Sequence, residues 1–197
     1  MTLPLFPLAT VLFPGGLLPL RVFEQRYIEL AKRSIRDDSP FGVCLIGEGA
    51  EVMGPGRPPP KFEAIGTLAR ITDFDMPESG ILHLRTRGET RFRVLAHRVE
   101  PNGLVVADAV PIDAEPALPL PADGAPLARL VELIANRVGA ENFPSPHRLD
   151  DASWVGYRLA EALPLPPGIR QRMLEINDAG VRLQVLRRFL QQQGLVP

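Results

Sequence analysis

The feature that most limits what this chain can fold into is the placement of prolines in its apolar opening, LPLFPLATVLFPGGLLPLRVFEQRY. No charge occurs there before Arg21, so hydropathy alone would read the segment as a membrane anchor or a secretion signal. Pro4, Pro7, Pro14 and Pro19 argue against both. Each removes a backbone N–H and interrupts a helix, the only open-chain structure that survives in lipid. No basic region precedes the apolar run either. The segment is expected as short extended pieces and turns buried in a soluble domain, with no membrane partner.

At 197 residues and 45% hydrophobic content, the chain suffices for one large domain or two small ones with a real core. A formal charge of -1 provides no global field for nucleic acid or anionic membrane, so any electrostatic partner has to meet a local patch. Cys44, the single cysteine, excludes an intrachain disulfide and a cysteine-based zinc cluster. With no export signal, a cytoplasmic location is expected. Cys44 lies in the apolar run FGVCLI, where a small buried side chain is the expected role and nothing nearby activates a thiolate.

Residues 1–112 read as strands and turns around one early helix at about 24–36, with Ile28, Ala31 and Ile35 on one face. Strands are predicted at 41–46, 63–73, 81–87, 90–99 and 104–112, and a surface loop at 55–60. Such spacing suggests a barrel or sandwich. Residues 113–126 are predicted as a linker, within a stretch (111–126) that has five prolines and no sustained period. From 127 to 197 the period becomes helical. Leu127, Leu130, Val131, Ile134, Ala135 and Val138 form one stripe, and Trp154, Val155, Leu159, Ala162 and Leu163 another, capped by Asp150 or Asp151. Pro164, Pro166 and Pro167 precede a short helix through Met173 and Ile176. A last one aligns Leu183, Leu186, Phe189 and Leu190 before Gly194.

Several motifs follow one another in order: Phe6-Pro7, Phe13-Pro14-Gly15, Phe23-Glu24-Gln25-Arg26-Tyr27, Ile65-Gly66-Thr67 and Gly88-Glu89-Thr90-Arg91-Phe92. Together they resemble the N-terminal domain of Lon, the ATP-dependent protease, a domain that also occurs in stand-alone proteins and within cereblon. The later segments Leu159-Ala160-Glu161 and Leu174-Glu175-Ile176-Asn177-Asp178 are similar too, so the resemblance covers nearly the whole chain. Gln25 stands where such domains often have Pro, and Ser79-Gly80 where they often have Asp-Gly. The resemblance implies an α+β architecture, a PUA-like β-barrel joined to a C-terminal helical bundle, contributing to substrate recognition and assembly. Its motif residues are expected to be chiefly architectural.

Chemistry is sparse. Neither Lys32 nor Lys61 follows a phosphate-loop glycine spacing, and the Ser-Lys dyad of Lon-type proteolysis belongs to a separate domain. Ser34, Ser39, Ser79, Ser145 and Ser153 are explained by caps and turns. His83, His97 and His147 lack ligand spacing. The expectation is no catalytic, cofactor or metal residues, and an unfolded polypeptide or a component of a proteolytic machine as partner. The alternative is RNA binding through Arg85, Arg87, Arg91 and Arg93, on two strands joined around Gly88-Glu89, with Arg98 nearby. That patch lacks interleaved stacking aromatics, since Phe92 alternates to the other face.

Overall fold

The computed structural model describes residues 1–49, 60–78 and 80–196, so Ser79 and all of the expected 55–60 loop but Pro60 lie outside the described residues. The fold is mixed, a mostly antiparallel sheet followed by several helices, and it divides into two compact units, Met1–Asp113 and Ala114–Pro197.

The first unit contains β1 (Thr2–Leu8), β2 (Leu17–Val22), α1 (Gln25–Arg36), β3 (Phe41–Glu48), β4 (Lys61–Phe62), β5 (Ile65–Glu78), β6 (Ile81–Val99) and β7 (Val105–Pro111). The prolines of the opening explain how this strand set tolerates them. β1 pairs with β7 over Thr2 to Leu5 and with β3 over Leu5 to Leu8, so Pro4 and Pro7 each have a strand neighbour on one side only. A missing N–H is harmless on the unpaired side. Pro19 likewise lies in β2, which pairs with β6 alone among the described residues. FPGG closes as a turn, the Gly16 amide donating to the Phe13 carbonyl at 2.9 Å.

The neighbour order β1-β7-β6-β5-β3 returns on itself, because β3 also pairs with β1, in parallel. Side chains alternate between two buried clusters. Phe6, Leu8, Leu20, Val22, Phe41 and Leu84 pack with Tyr27, Ile28 and Leu30 of α1. Leu3, Leu5, Cys44, Leu68 and Phe92 form the other.

One expectation is overturned. The hairpin predicted around Gly88-Glu89 does not form, because residues 81–99 are one 19-residue strand. Gly88 serves a close approach instead of a turn. Its N–H donates to Gly16 O at 2.8 Å, its carbonyl accepts from Gly15 N–H at 2.7 Å, and a Cβ there would stand 2.2 Å from Phe13 O. A residue needed for contact with a segment some 70 positions away looks locally like a turn signal.

The second unit contains α2 (Ala125–Val138), α3 (Ala152–Ala162), α4 (Pro167–Glu175) and α5 (Ala179–Gln192). Asp151 caps α3 by accepting from Trp154 N–H at 3.0 Å, and Asp178 caps α5 by accepting from Val181 N–H at 2.9 Å. α3 packs against α2, α4 and α5, and its residues from Trp154 to Ala160 are all buried. The proline-rich segment has fixed points here: Leu120 N–H donates to Asp150 O at 2.7 Å, and Ala152 N–H to Leu118 O at 3.0 Å. No helix among the described residues is long and apolar enough to cross a membrane.

Candidate functional site

The FEQRY segment joins β2 to α1, and its side chains divide between holding the fold and facing outward. Arg26, 6% exposed, bridges three places. Its Nη2 lies 2.9 Å from Glu24 Oε2, its Nη1 donates to Gly103 O at 2.9 Å, and its guanidinium sits 4.3 Å from the centre of the Tyr27 ring. Tyr27 in turn stacks on Phe6, 3.8 Å between centroids and 14° between planes. Arg26 thus ties the first turn of α1 to the turn before β7, an arrangement in which a planar fork with several donors is required and lysine would not substitute. The motif residues Phe13, Gly66 and Phe92 are also buried.

Phe23 departs from this pattern. It is 56% exposed, a large aromatic side chain left mostly in contact with water. It stands at a pocket of about 280 Å³ whose apolar walls include Phe6, Leu8, Leu18, Leu20 and Tyr27, with Arg21 and Glu24 as polar members. β2 lines the same pocket, so a recess of mixed polar and apolar lining lies beside a strand edge that no other described strand occupies. Such a combination takes main-chain hydrogen bonds on the edge and a side chain in the recess. Sequence reading placed Phe23 among architectural motif residues, because exposure leaves no mark in a motif.

The arginine patch is dispersed. Arg85 is exposed with Asp73 3.9 Å away. Arg87 lies opposite Arg70, whose guanidinium is held by Glu89 at 2.5 Å and Asp38 at 2.7 Å. Arg91 is 4% exposed, whereas Arg93 faces solvent, and Arg98 lies 3.9 Å from Glu100. Arg91 and Arg93 keep the expected shared face, since β6 pairs with β5 without a break from Arg91 opposite Thr67 to Arg93 opposite Ile65, but that face is covered at Arg91 and open at Arg93.

His97 packs on Phe62 at 5.0 Å between rings, His147 on Phe143 at 5.4 Å, and His83 pairs across the ladder with Asp75. Among the described residues no three His, Cys, Asp or Glu side chains converge as a metal-binding group. Cys44 is buried, and burial, helped by Glu63, pushes its thiol up to about 12. Native protein is therefore expected to react with a disulfide reagent at pH 8 on the order of a hundredfold or more slower than protein in denaturant. Equal rates in a thiol-release assay would contradict that placement.

The family model of the ATP-dependent protease La (LON) substrate-binding domain matches residues 2–192. A crystal structure of a Lon N-terminal domain protein from Xanthomonas campestris is similar at 40% identity with a TM-score of 0.75, over 95% of this chain and 98% of that one. The N-terminal domain of Mycobacterium avium complex Lon protease shares the fold at 18% identity and a TM-score of 0.64, over 94% of this chain and 96% of that one. Lon protease 2 of Myxococcus xanthus is 39% identical over 94 residues, 47% of this chain and 11% of that protein. Lon protease of Phenylobacterium zucineum is 27% identical over 204 residues, 95% of this chain and 24% of that protein. The chain thus spans between about a tenth and a quarter of these curated relatives' length. A family match over residues 2–192 places the chain in the family of the Lon substrate-binding domain.

Proposed function

We propose that this protein recognises polypeptide, holding an extended segment along β2 with an apolar side chain in the recess beside Phe23, and performs no chemistry on it. The observation that carries this reading is the half-exposed Phe23 at a partly apolar pocket next to a strand edge that no other described strand occupies. Membership in a substrate-binding family supports it, as does the similarity to a Lon N-terminal domain protein. In this reading the closed pairing circuit of the first unit is a small PUA-like barrel and the helices of the second are a bundle. The protein works in the cytoplasm, as a recognition module for unfolded segments or for a component of a proteolytic machine. RNA binding has less behind it, since Arg91 is buried and Arg85 and Arg98 each have a carboxylate within 4 Å.

The test is binding of fluorescently labelled casein, followed by anisotropy. Phe23→Ser is expected to weaken it about tenfold, the loss typical of an aromatic anchor, while the unfolding midpoint stays within error. Unchanged affinity in the variant, or no binding by the wild-type protein, would overturn the reading. Casein remaining intact over the incubation is the expected companion result.

A further inference from the structure

The ribbon made by β2, β6 and β5 has a second edge, finished differently from the first. β5 meets β3 only at Thr67 to Ala69, so from Thr72 to Pro77 its outer side has no strand neighbour among the described residues, and all six are exposed. Phe74 and Met76 lie there, 53% and 49% exposed. Phe74 continues a row across the ribbon, Leu20 to Leu84 to Phe74, in which the first two are buried and the third runs past the core.

The outward amides of this edge are occupied by the chain's own carboxylates. Phe74 N–H donates to Asp73 Oδ1 at 2.9 Å, and Met76 N–H to Asp75 Oδ1 at 2.7 Å. Asp73 has a loose partner in exposed Arg85 at 3.9 Å, and Asp75 pairs across the ladder with His83. Two consecutive caps of this kind withhold from any neutral strand the donors it needs. They also set a charge requirement. A second copy pairing along this edge would bring the Asp73 and Asp75 carboxylates of both chains together, which like-charge repulsion disfavours.

We infer that the 72–77 edge of β5 is a docking surface for an extended polypeptide segment alternating basic and apolar residues. Residues directly opposite across a ladder share a face, and faces alternate with a period of two. Basic side chains opposite Asp73 and Asp75 draw those carboxylates off the Phe74 and Met76 amides, which then bond the incoming carbonyls. Apolar side chains on the other face cover Phe74, with Met76 just beyond it where the pairing with β6 becomes irregular. This surface lies across β6 from the Phe23 pocket, and selects by charge spacing where that pocket selects by fit.

The probe is a labelled peptide, Ile-Arg-Val-Arg-Ile-Arg-Val, compared with the same residues in blocks and with glutamate in place of arginine. The alternating basic peptide is expected to bind about tenfold tighter than either control, and more weakly as salt rises. Asp73→Asn with Asp75→Asn keeps an oxygen on each amide but removes the charge, and is expected to erase the tenfold preference. Asp73→Ala with Asp75→Ala uncovers the amides, and is expected to raise binding of a neutral Thr-Val alternating peptide several-fold. Equal binding of alternating and blocked peptides, or wild-type affinity in the Asn variant, overturns the proposal. So does loss of peptide binding in Phe23→Ser, which would place the peptide in the other pocket. Casein binding that depends on Phe23 without any binding of the alternating peptide would leave the proposed function standing and remove this surface.

Discussion

Glu115→Ala is expected to destabilise the helical unit by about 3–5 kcal/mol, the cost of stranding a buried charge. Arg182 is fully buried and the side chain of Glu115 is 3% exposed, and the two form a bidentate pair, with Nη1 to Oε2 at 3.0 Å. Around it, Arg182 Nε donates to Met173 O at 2.9 Å, Nη2 to Ile176 O at 2.5 Å, and the guanidinium lies 3.9 Å from the centre of the Tyr157 ring. Glu115 also accepts from Ser153 Oγ at 2.8 Å and Tyr157 OH at 2.5 Å. The cluster ties the proline-rich segment to α3, α5 and the end of α4, so its loss loosens several elements together. Burial alone pushes the Glu115 carboxyl up, but the hydrogen bonds from Arg182, Tyr157 and Ser153 outweigh it and hold the group below the ordinary 4.5. A depressed pKa contributes stability that is full above the unfolded value and is lost as pH falls through the folded one. Trp154, the single tryptophan, lies in α3 and reports this unit by fluorescence during denaturant unfolding. Glu115→Gln is expected to cost less than the alanine variant, and its gap from wild type to narrow as pH falls below 4. Replacing both partners, Glu115→Leu with Arg182→Met, recovers only part of the loss, because the Met173 and Ile176 carbonyls lose their donor. A midpoint for Glu115→Ala within about 0.5 kcal/mol of wild type would show that the cluster is not a structural centre.

What the sequence made legible was local. Prolines spaced along an apolar run excluded helix, and each of Pro4, Pro7 and Pro19 lies in a strand at a point where pairing is one-sided. The periods of α2, α3 and α5 and the Asp151 cap are properties of short windows, and these helices and that cap appear where the pattern put them, although Val138 at the end of the α2 stripe is exposed. What failed depended on distant contacts. Gly88 looked like a turn because the Phe13 to Gly16 backbone that needs it is far off in sequence. Glu115, inside a proline-rich stretch, gave no sign of its buried partner Arg182, 67 positions further along the chain in α5. The candidate site was hidden for the same reason: Phe23 carries a motif position, but its exposure, and the occupied amides of Phe74 and Met76, are decided by which strands end beside them.

Gly66→Ala is the second large effect expected, a loss of about 3 kcal/mol or more from the sheet unit, at the upper end of overpacking. Gly66 lies in β5 between two neighbours, paired with Phe92 of β6, while Thr67 beside it pairs with Val43 of β3. A Cβ at Gly66 would stand 2.3 Å from Val43 O, 2.7 Å from Cys44 Sγ and 2.8 Å from Phe92 Cζ. The first of these is backbone in a paired strand, so no rotamer change relieves it. Either β3 or β5 has to move, and Phe92, fully buried, has no free space to yield. The shift also strains the Thr67 hydroxyl bond to Leu12 O at 2.6 Å, which anchors the residues before the FPGG turn to the sheet. Cys44 supplies a probe confined to this unit, because its buried thiol becomes reactive only on opening. Pulsed thiol labelling across a denaturant series is expected to show the Gly66→Ala midpoint well below wild type, and a melting temperature lower by roughly 10 °C. Gly168→Ala is the control: nothing lies within 4 Å of a Cβ there, and the substitution in α4 is expected to be neutral or stabilising by up to about 1 kcal/mol. Equal midpoints for the two variants would mean that β3 and β5 are not packed at this position as closely as the register requires.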